Sequence, residues 1–139
     1  MNLLHLIISN ILLASDPPAP TTRATNFAQN LPNLSPNTRR IYLLRHGMTQ
    51  WNKAGKVQGS SFDIPLNDEG RSQAGYAAEE LAACPMNCVV SSHLSRAVQT
   101  ADEVRMYHPL AASVVFKDFC EMNYGELEGK AIHDDDDES

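Results

Sequence analysis

Four side chains, spread along a chain of 139 residues, could act together on a phosphoryl group. Arg45 and His46 follow the aliphatic run Ile41-Tyr42-Leu43-Leu44 in an abrupt Arg-His-Gly turn. Arg96 lies in the hydroxyl-rich stretch Ser91-Ser92-His93-Leu94-Ser95-Arg96. Glu121 opens the segment Glu121-Met122-Asn123-Tyr124-Gly125. A guanidinium is a planar fork that clamps an oxyanion, and an imidazole nitrogen is a nucleophile. A carboxyl group can protonate a leaving oxygen and later take a proton from water.

These residues work only if the chain brings them to one place. The short β-branched and aliphatic run 41–44 predicts a strand, and Gly55, Gly59 and Pro65 punctuate a loop over 53–67. Asp68 to Cys84 reads as a helix capped by Asp68 and stopped by Pro85, with Ala74, Ala77, Ala78 and Leu81 at helical spacing. Cys88–Ser91 reads as a buried strand. Leu94–Tyr107 reads as a helix with Ala97, Val98, Ala101 and Val104 on one face, and Ser113–Phe116 as a third strand. Strand, helix, strand, helix, strand implies βαβ units and a mainly parallel sheet. In such a sheet the ends after Leu44 and Val90 lie on one edge, where ligands bind. Arg45 and Arg96 should therefore converge. The turn 91–95 should offer free backbone N–H groups at a helix N-terminus, and the third strand should carry Glu121 to the same edge.

The motifs, taken in order, closely resemble the histidine phosphatase superfamily in its phosphoglycerate mutase-like branch. They are Arg45-His46-Gly47-x-Thr49-x-Trp51-Asn52, Gln58-Gly59, Asp63-x-Pro65-Leu66, Ser92-x-Leu94-Ser95-Arg96-Ala97-x-Gln99-Thr100-Ala101 and Glu121-x-x-Tyr124-Gly125-x-x-Glu128-Gly129. The match spans residues 41–130. It implies a three-layer α/β fold, a mainly parallel sheet flanked by helices. It also implies that His46 receives the phosphoryl group as a phosphohistidine, that Arg45 and Arg96 clamp the phosphate and that Asn52 donates to it. Gln58 and Gly59 fall in the substrate-facing loop, and Glu121 takes the position of the proton donor. No metal and no cofactor is implied.

Composition divides the chain into three parts: 1–40, 41–132 and 133–139. The first forty residues carry a local charge of +2 and, from 15 to 40, five of the eight prolines. They read as a targeting leader or a disordered extension, since Leu3–Ala14 is too short to span a bilayer. Compartment follows from that choice: an organelle or the secretory route with a leader, the cytoplasm without one. No membrane association is expected of the mature form. The run Asp134–Glu138 reads as a solvated acidic tail. A net charge of −6 argues against nucleic acid as a partner and leaves a small phosphorylated substrate. Nothing in the sequence specifies an oligomeric state. Cys84, Cys88 and Cys120 have no metal-site spacing and read as buried thiols rather than disulfide partners.

One part of the family's pattern has no counterpart. Its second histidine follows a later strand, whereas this sequence stops at Ser139, with His108 at a helix end and His133 in the polar tail. The domain over 41–132 is thus expected to be partial, incomplete at its C-terminus. The favoured activity is phosphatase-type hydrolysis of a small phosphorylated metabolite, because Glu-Met-x-Tyr-Gly-x-x-Glu-Gly resembles phosphatase members more than mutases. A phosphoglycerate mutase is the enzymatic alternative. An inactive fragment that binds an anion or a partner is the non-enzymatic one. His93 reads as incidental, and Glu126 and Glu128 compete with Glu121 for its role, any of the three being free to face solvent.

Overall fold

The computed structural model describes residues 17–132; the apolar run Leu3–Ala14 and the acidic tail lie outside the described residues. Within 17–40, α1 (Thr22–Gln29) is capped by the Thr21 hydroxyl, which accepts from Ala24 N–H. It packs on α3 (Asp68–Leu81), burying Ala24 fully and pairing Arg23 with Glu80 at 2.6 Å. The short helix α2 (Gln50–Lys53) follows the Arg-His-Gly turn. Next come α3, the strand β1 (Cys88–Ser91), the helix α4 (Ser95–Tyr107) and the strand β2 (Ala112–Val115).

β1 and β2 pair in parallel, Cys88 opposite Ala112 and Ser91 opposite Val115, so β1-α4-β2 is the βαβ unit the sequence predicts. α4 packs on β1 and on α3. Between them sits a small core of Ala78, Val89 and Val104, with Leu81, Met86, Ala101, Tyr107 and Ala111 packed around it. His108, just past α4, bonds the Leu81 carbonyl at 3.0 Å through its Nε2, tying the end of α4 to the end of α3.

Several expectations shift. Ile41–Leu44 forms no strand, and Ile41 and Leu43 are 78% and 94% exposed. A strand is defined by its ladder, and among the described residues nothing pairs with this run. Asn67, not Asp68, caps α3: its side chain accepts from Gly70 N–H at 2.8 Å, which leaves Asp68 and Glu69 in the first turn to complement the helix dipole. α3 ends at Leu81, a turn short of Cys84. The third strand begins one residue early, at Ala112. The buried stripe of α4 is Arg96, Thr100 and Val104, whereas Ala97, Val98 and Ala101 are half-buried. Cys84 is buried, but Cys88 is exposed on β1.

The Arg-His-Gly turn is held by close packing instead of a ladder. Thr49 and Leu66 form an isolated antiparallel bridge, and Asn67 N–H donates to the Met48 carbonyl at 3.0 Å. Met48 N–H donates to the Gln73 side chain at 2.9 Å, and Gly47 N–H to the Thr100 hydroxyl at 3.2 Å. Gly47 and Gly70 meet so closely that a Cβ on Gly47 would collide with the Gly70 carbonyl, and one on Gly70 with the Met48 carbonyl. Helix propensity alone would make Gly70→Ala stabilising by about 1 kcal/mol. The contact with Met48 reverses that sign: urea unfolding should show a net loss of about 1–3 kcal/mol. A variant as stable as the wild type, or more so, would contradict this packing.

Candidate active site

His46 is half-buried at the turn, and its Nδ1 lies 2.7 Å from the Gly47 carbonyl. A carbonyl can only accept, so Nδ1 carries the proton and Nε2 keeps its lone pair. Burial pushes the imidazole below its ordinary value of 6.5; the Gly47 carbonyl opposes this, Arg96 and Arg45 reinforce it, and Glu121 opposes it. Both arginines and the glutamate thus lie within electrostatic reach of one ring.

Arg96 is the most confined of them, at 1% exposure on the second residue of α4. Its Nη2 donates to the Gly59 carbonyl at 2.9 Å, while the buried Nη1 has no protein partner. Burial pulls this guanidinium below its ordinary value, against the attraction of Asp63, Glu121 and Glu128. Arg45, by contrast, is exposed. A buried charge with one donor unpaired is costly unless an anion completes it.

Asn52 and Gln58 come together through Thr49, which is fully buried. Thr49 caps α2 in a reciprocal box: its Oγ1 accepts from Asn52 N–H at 3.1 Å, and Asn52 Oδ1 accepts from Thr49 N–H at 3.1 Å. Asn52 Oδ1 is thereby engaged, so its Nδ2 is the donor left for an anion. The single Thr49 hydroxyl proton then serves Gln58 Oε1, fixing that amide as well. Gly59 follows directly and hands its carbonyl to Arg96. Asn52, Gln58, Gly59 and Arg96 therefore belong to one connected set, whereas exposed Arg45 stands outside it.

Two features differ from the sequence reading. The N–H of Ser95 at the start of α4 is occupied, not free: Asp63 Oδ1 accepts it at 2.7 Å, and Asp63 Oδ2 accepts the Ser95 hydroxyl at 2.6 Å. The bond from the Ser95 hydroxyl, chief among several causes, holds the Asp63 carboxyl below the usual range. Nor are the three glutamates equivalent. Glu126 is exposed. Glu128 is buried and accepts from Ser61 N–H, the Ser61 hydroxyl and Tyr124 N–H. Glu121 is exposed and within electrostatic reach of His46, with one oxygen accepting from Met122 N–H at 2.9 Å.

Sequence reasoning passed over Thr49, Thr100, Gln73 and Asp63 as positioning groups. The Thr49-x-x-Asn52 spacing of a capping box was a readable signal, and Thr100 sits one helical turn after Arg96. Gln73 and Asp63 act across long sequence distances and left no local signal. The other two histidines among the described residues are His93, which is exposed, and His108, whose Nε2 lies at the Leu81 carbonyl. The described residues contain no cluster of three or more metal-ligating side chains. No helix among them is long and apolar enough to cross a membrane.

A family model described as histidine phosphatase superfamily (branch 1) matches residues 41–139. An uncharacterized phosphatase, PhoE of Bacillus subtilis, is 38% identical over 94 residues, 68% of this chain and 48% of that protein. A probable phosphoglycerate mutase, GpmB of Proteus mirabilis, is 43% identical over 63 residues, covering 45% of this chain and 29% of its own. Among solved structures, a mycobacterial glucosyl-3-phosphoglycerate phosphatase in complex with VO3 superposes with a TM-score of 0.59 at 32% identity, over 63% of this chain and 41% of that one. The chain spans about half the length of PhoE and less of the others.

The electrostatic setting of His46 gives a direct expectation. Because its folded value is lowered, the unfolded chain takes up a proton near pH 6.5 that the folded site refuses, so His46 favours folding less as pH falls through that region. In an NMR titration the His46 ring should have its midpoint below 6.5, and Arg96→Gln, which removes a nearby positive charge, should move the midpoint up. A wild-type midpoint at or above 6.5 would contradict the geometry.

Proposed function

This chain belongs to the histidine phosphatase superfamily, branch 1, and on that premise we propose that His46 takes a phosphoryl group from a small phosphomonoester, which water then removes. One observation carries the reading. A neutral imidazole, its Nε2 lone pair set by the Gly47 carbonyl, sits within reach of two guanidinium groups, one of them buried with an unpaired Nη1. Phosphoryl transfer depends chiefly on positioning and on stabilising charge over the transferred oxygens, and this site is built for both.

In the first step the Nε2 lone pair attacks phosphorus and the ester P–O bond breaks. The leaving oxygen takes a proton from Glu121 in its acid form. In the second, water attacks phosphorus, Glu121 takes the proton of that water, and the P–N bond breaks to release phosphate and restore His46. Arg45, Arg96 Nη1 and Asn52 Nδ2 hold the phosphoryl oxygens, while Gln58 and Gly59 border the substrate. Glu121 is the best placed of the glutamates for proton transfer, because Glu128 is committed to backbone donors.

Likeness to a phosphatase and to a glucosyl-3-phosphoglycerate phosphatase supports hydrolysis. Likeness to a probable phosphoglycerate mutase supports the alternative in which the phosphoryl group returns to substrate. A third reading, anion binding without turnover, needs only the buried guanidinium of Arg96 with its unpaired Nη1. One experiment separates them. Incubated with a radiolabelled small phosphomonoester, the chain should acquire an acid-labile, base-stable label that His46→Ala abolishes. Removing one charge-assisted contact, as in Arg96→Ala, should slow labelling by about 10- to 150-fold, the equivalent of roughly 1.5–3 kcal/mol. Release of free phosphate supports hydrolysis, and an isomerised product without it supports the mutase. Phosphate binding with no label overturns the catalytic reading.

A further inference from the structure

Two loops border the site, and a single buried carboxylate joins them. The first, Lys56–Phe62, presents Gln58 and the Gly59 carbonyl that orients Arg96. The second, Met122–Lys130, begins immediately after Glu121. Backbone bonds zip their outer ends together, Val57 N–H to Lys130 and Gly129 N–H to Val57, both at 2.9 Å. Nearer the site the pairing is sparser: Ser60 N–H reaches the Met122 carbonyl at 3.1 Å, and Glu128 does the rest. One of its oxygens accepts from Tyr124 N–H at 3.0 Å and from the Ser61 hydroxyl at 3.0 Å; the other accepts from Ser61 N–H at 3.0 Å.

We propose that Glu128 is a further positioning residue of this site. It clasps the two loops so that Gly59 aims Arg96 and the chain after Glu121 stays beside His46. The inference rests on the phosphohistidine reading only for its effect on rate; its structural half stands on geometry alone. Three observations point to it. Every contact of Glu128 is with a donor, so only a group that accepts on all sides fits; a glutamine would turn an NH₂ toward one of those donors. A Cβ on Gly59 would strike the Glu128 carboxylate, and the Met122 carbonyl would lie within 2.6 Å of it, so the loops are closed to near contact. Finally, Glu128 attracts Arg96 electrostatically while the loop it holds bonds Arg96 Nη2, so one carboxylate orients the guanidinium by two routes.

The test compares wild type, Glu128→Gln, Glu128→Asp and Ser61→Ala, each as the full chain. Its readouts are Arg96 guanidinium N–H resonances, affinity for inorganic phosphate, and rate of phosphohistidine formation. Glu128→Gln should lose the protected Arg96 signals and weaken phosphate binding about 10-fold or more while remaining folded by circular dichroism. Glu128→Asp, which keeps the charge and the acceptors, should recover part of both. If Glu128→Gln does not fold, Ser61→Ala decides: loss of one clasp donor should weaken phosphate binding severalfold with the fold intact. Wild-type Arg96 signals and phosphate affinity in the folded Gln variant, or in Ser61→Ala when it is the deciding variant, would overturn the proposal. If wild type forms no phosphohistidine while the Gln variant still releases Arg96, the catalytic reading fails and the clasp stands.

Discussion

The structure is organised around a buried cation. Arg96 lies almost wholly out of water, with one Nη given to the Gly59 carbonyl and the other to no protein atom. Removing a guanidinium from water is expensive, and among the described residues no acidic side chain within hydrogen-bonding distance repays the cost. What the protein supplies instead is longer-range attraction from Asp63, Glu121 and Glu128, together with a rigid carbonyl. A fold keeps such an arrangement when the missing partner is a ligand, and an oxyanion is the ligand a guanidinium fits.

The elements around Arg96 make sense in that light. α4 begins where Asp63 bonds the Ser95 backbone and side chain, which sets the azimuth of the first turn and hence of Arg96. Four residues on, Thr100 donates to the Arg96 carbonyl and accepts from Gly47 N–H, so the same helix face fixes the turn that carries His46. The two glycines that let this turn lie against α3 complete the constraint. His46 and Arg96 are therefore registered to each other through two helices rather than through a sheet.

Much of this was legible in the sequence, for physical reasons that differ by residue. The βαβ unit could be read because valine-rich runs and alanine-spaced helices are local patterns, and Pro85 and Pro109 end helices by simple sterics. The electrostatic reach of Arg45, Arg96 and Glu121 to His46 agrees with the motif resemblance, whereas the strand-order argument for it rested on a strand at 41–44 that does not form. The strand expected at Ile41–Leu44 does not form, since a strand exists only with a partner and residue type does not supply one. Asn67 displaced Asp68 as the α3 cap because capping depends on one residue of phase, which composition does not resolve. Glu128 and Glu126, two residues apart, have similar sequence surroundings and opposite fates. The difference is made by Ser61, far away in the chain, and only the folded structure brings it near.

The proposed phosphoryl chemistry requires the unpaired face of Arg96 and the free nitrogen of His46 to address the same oxyanion. Titration of the chain with inorganic phosphate, followed through side-chain ¹H–¹⁵N resonances, tests this most directly. The account predicts that the Arg96 guanidinium and His46 Nε2 signals shift together along one saturating curve, and that Arg96→Lys abolishes the response at His46. Independent curves for the two residues, or phosphate perturbing only exposed lysines and arginines, would contradict it.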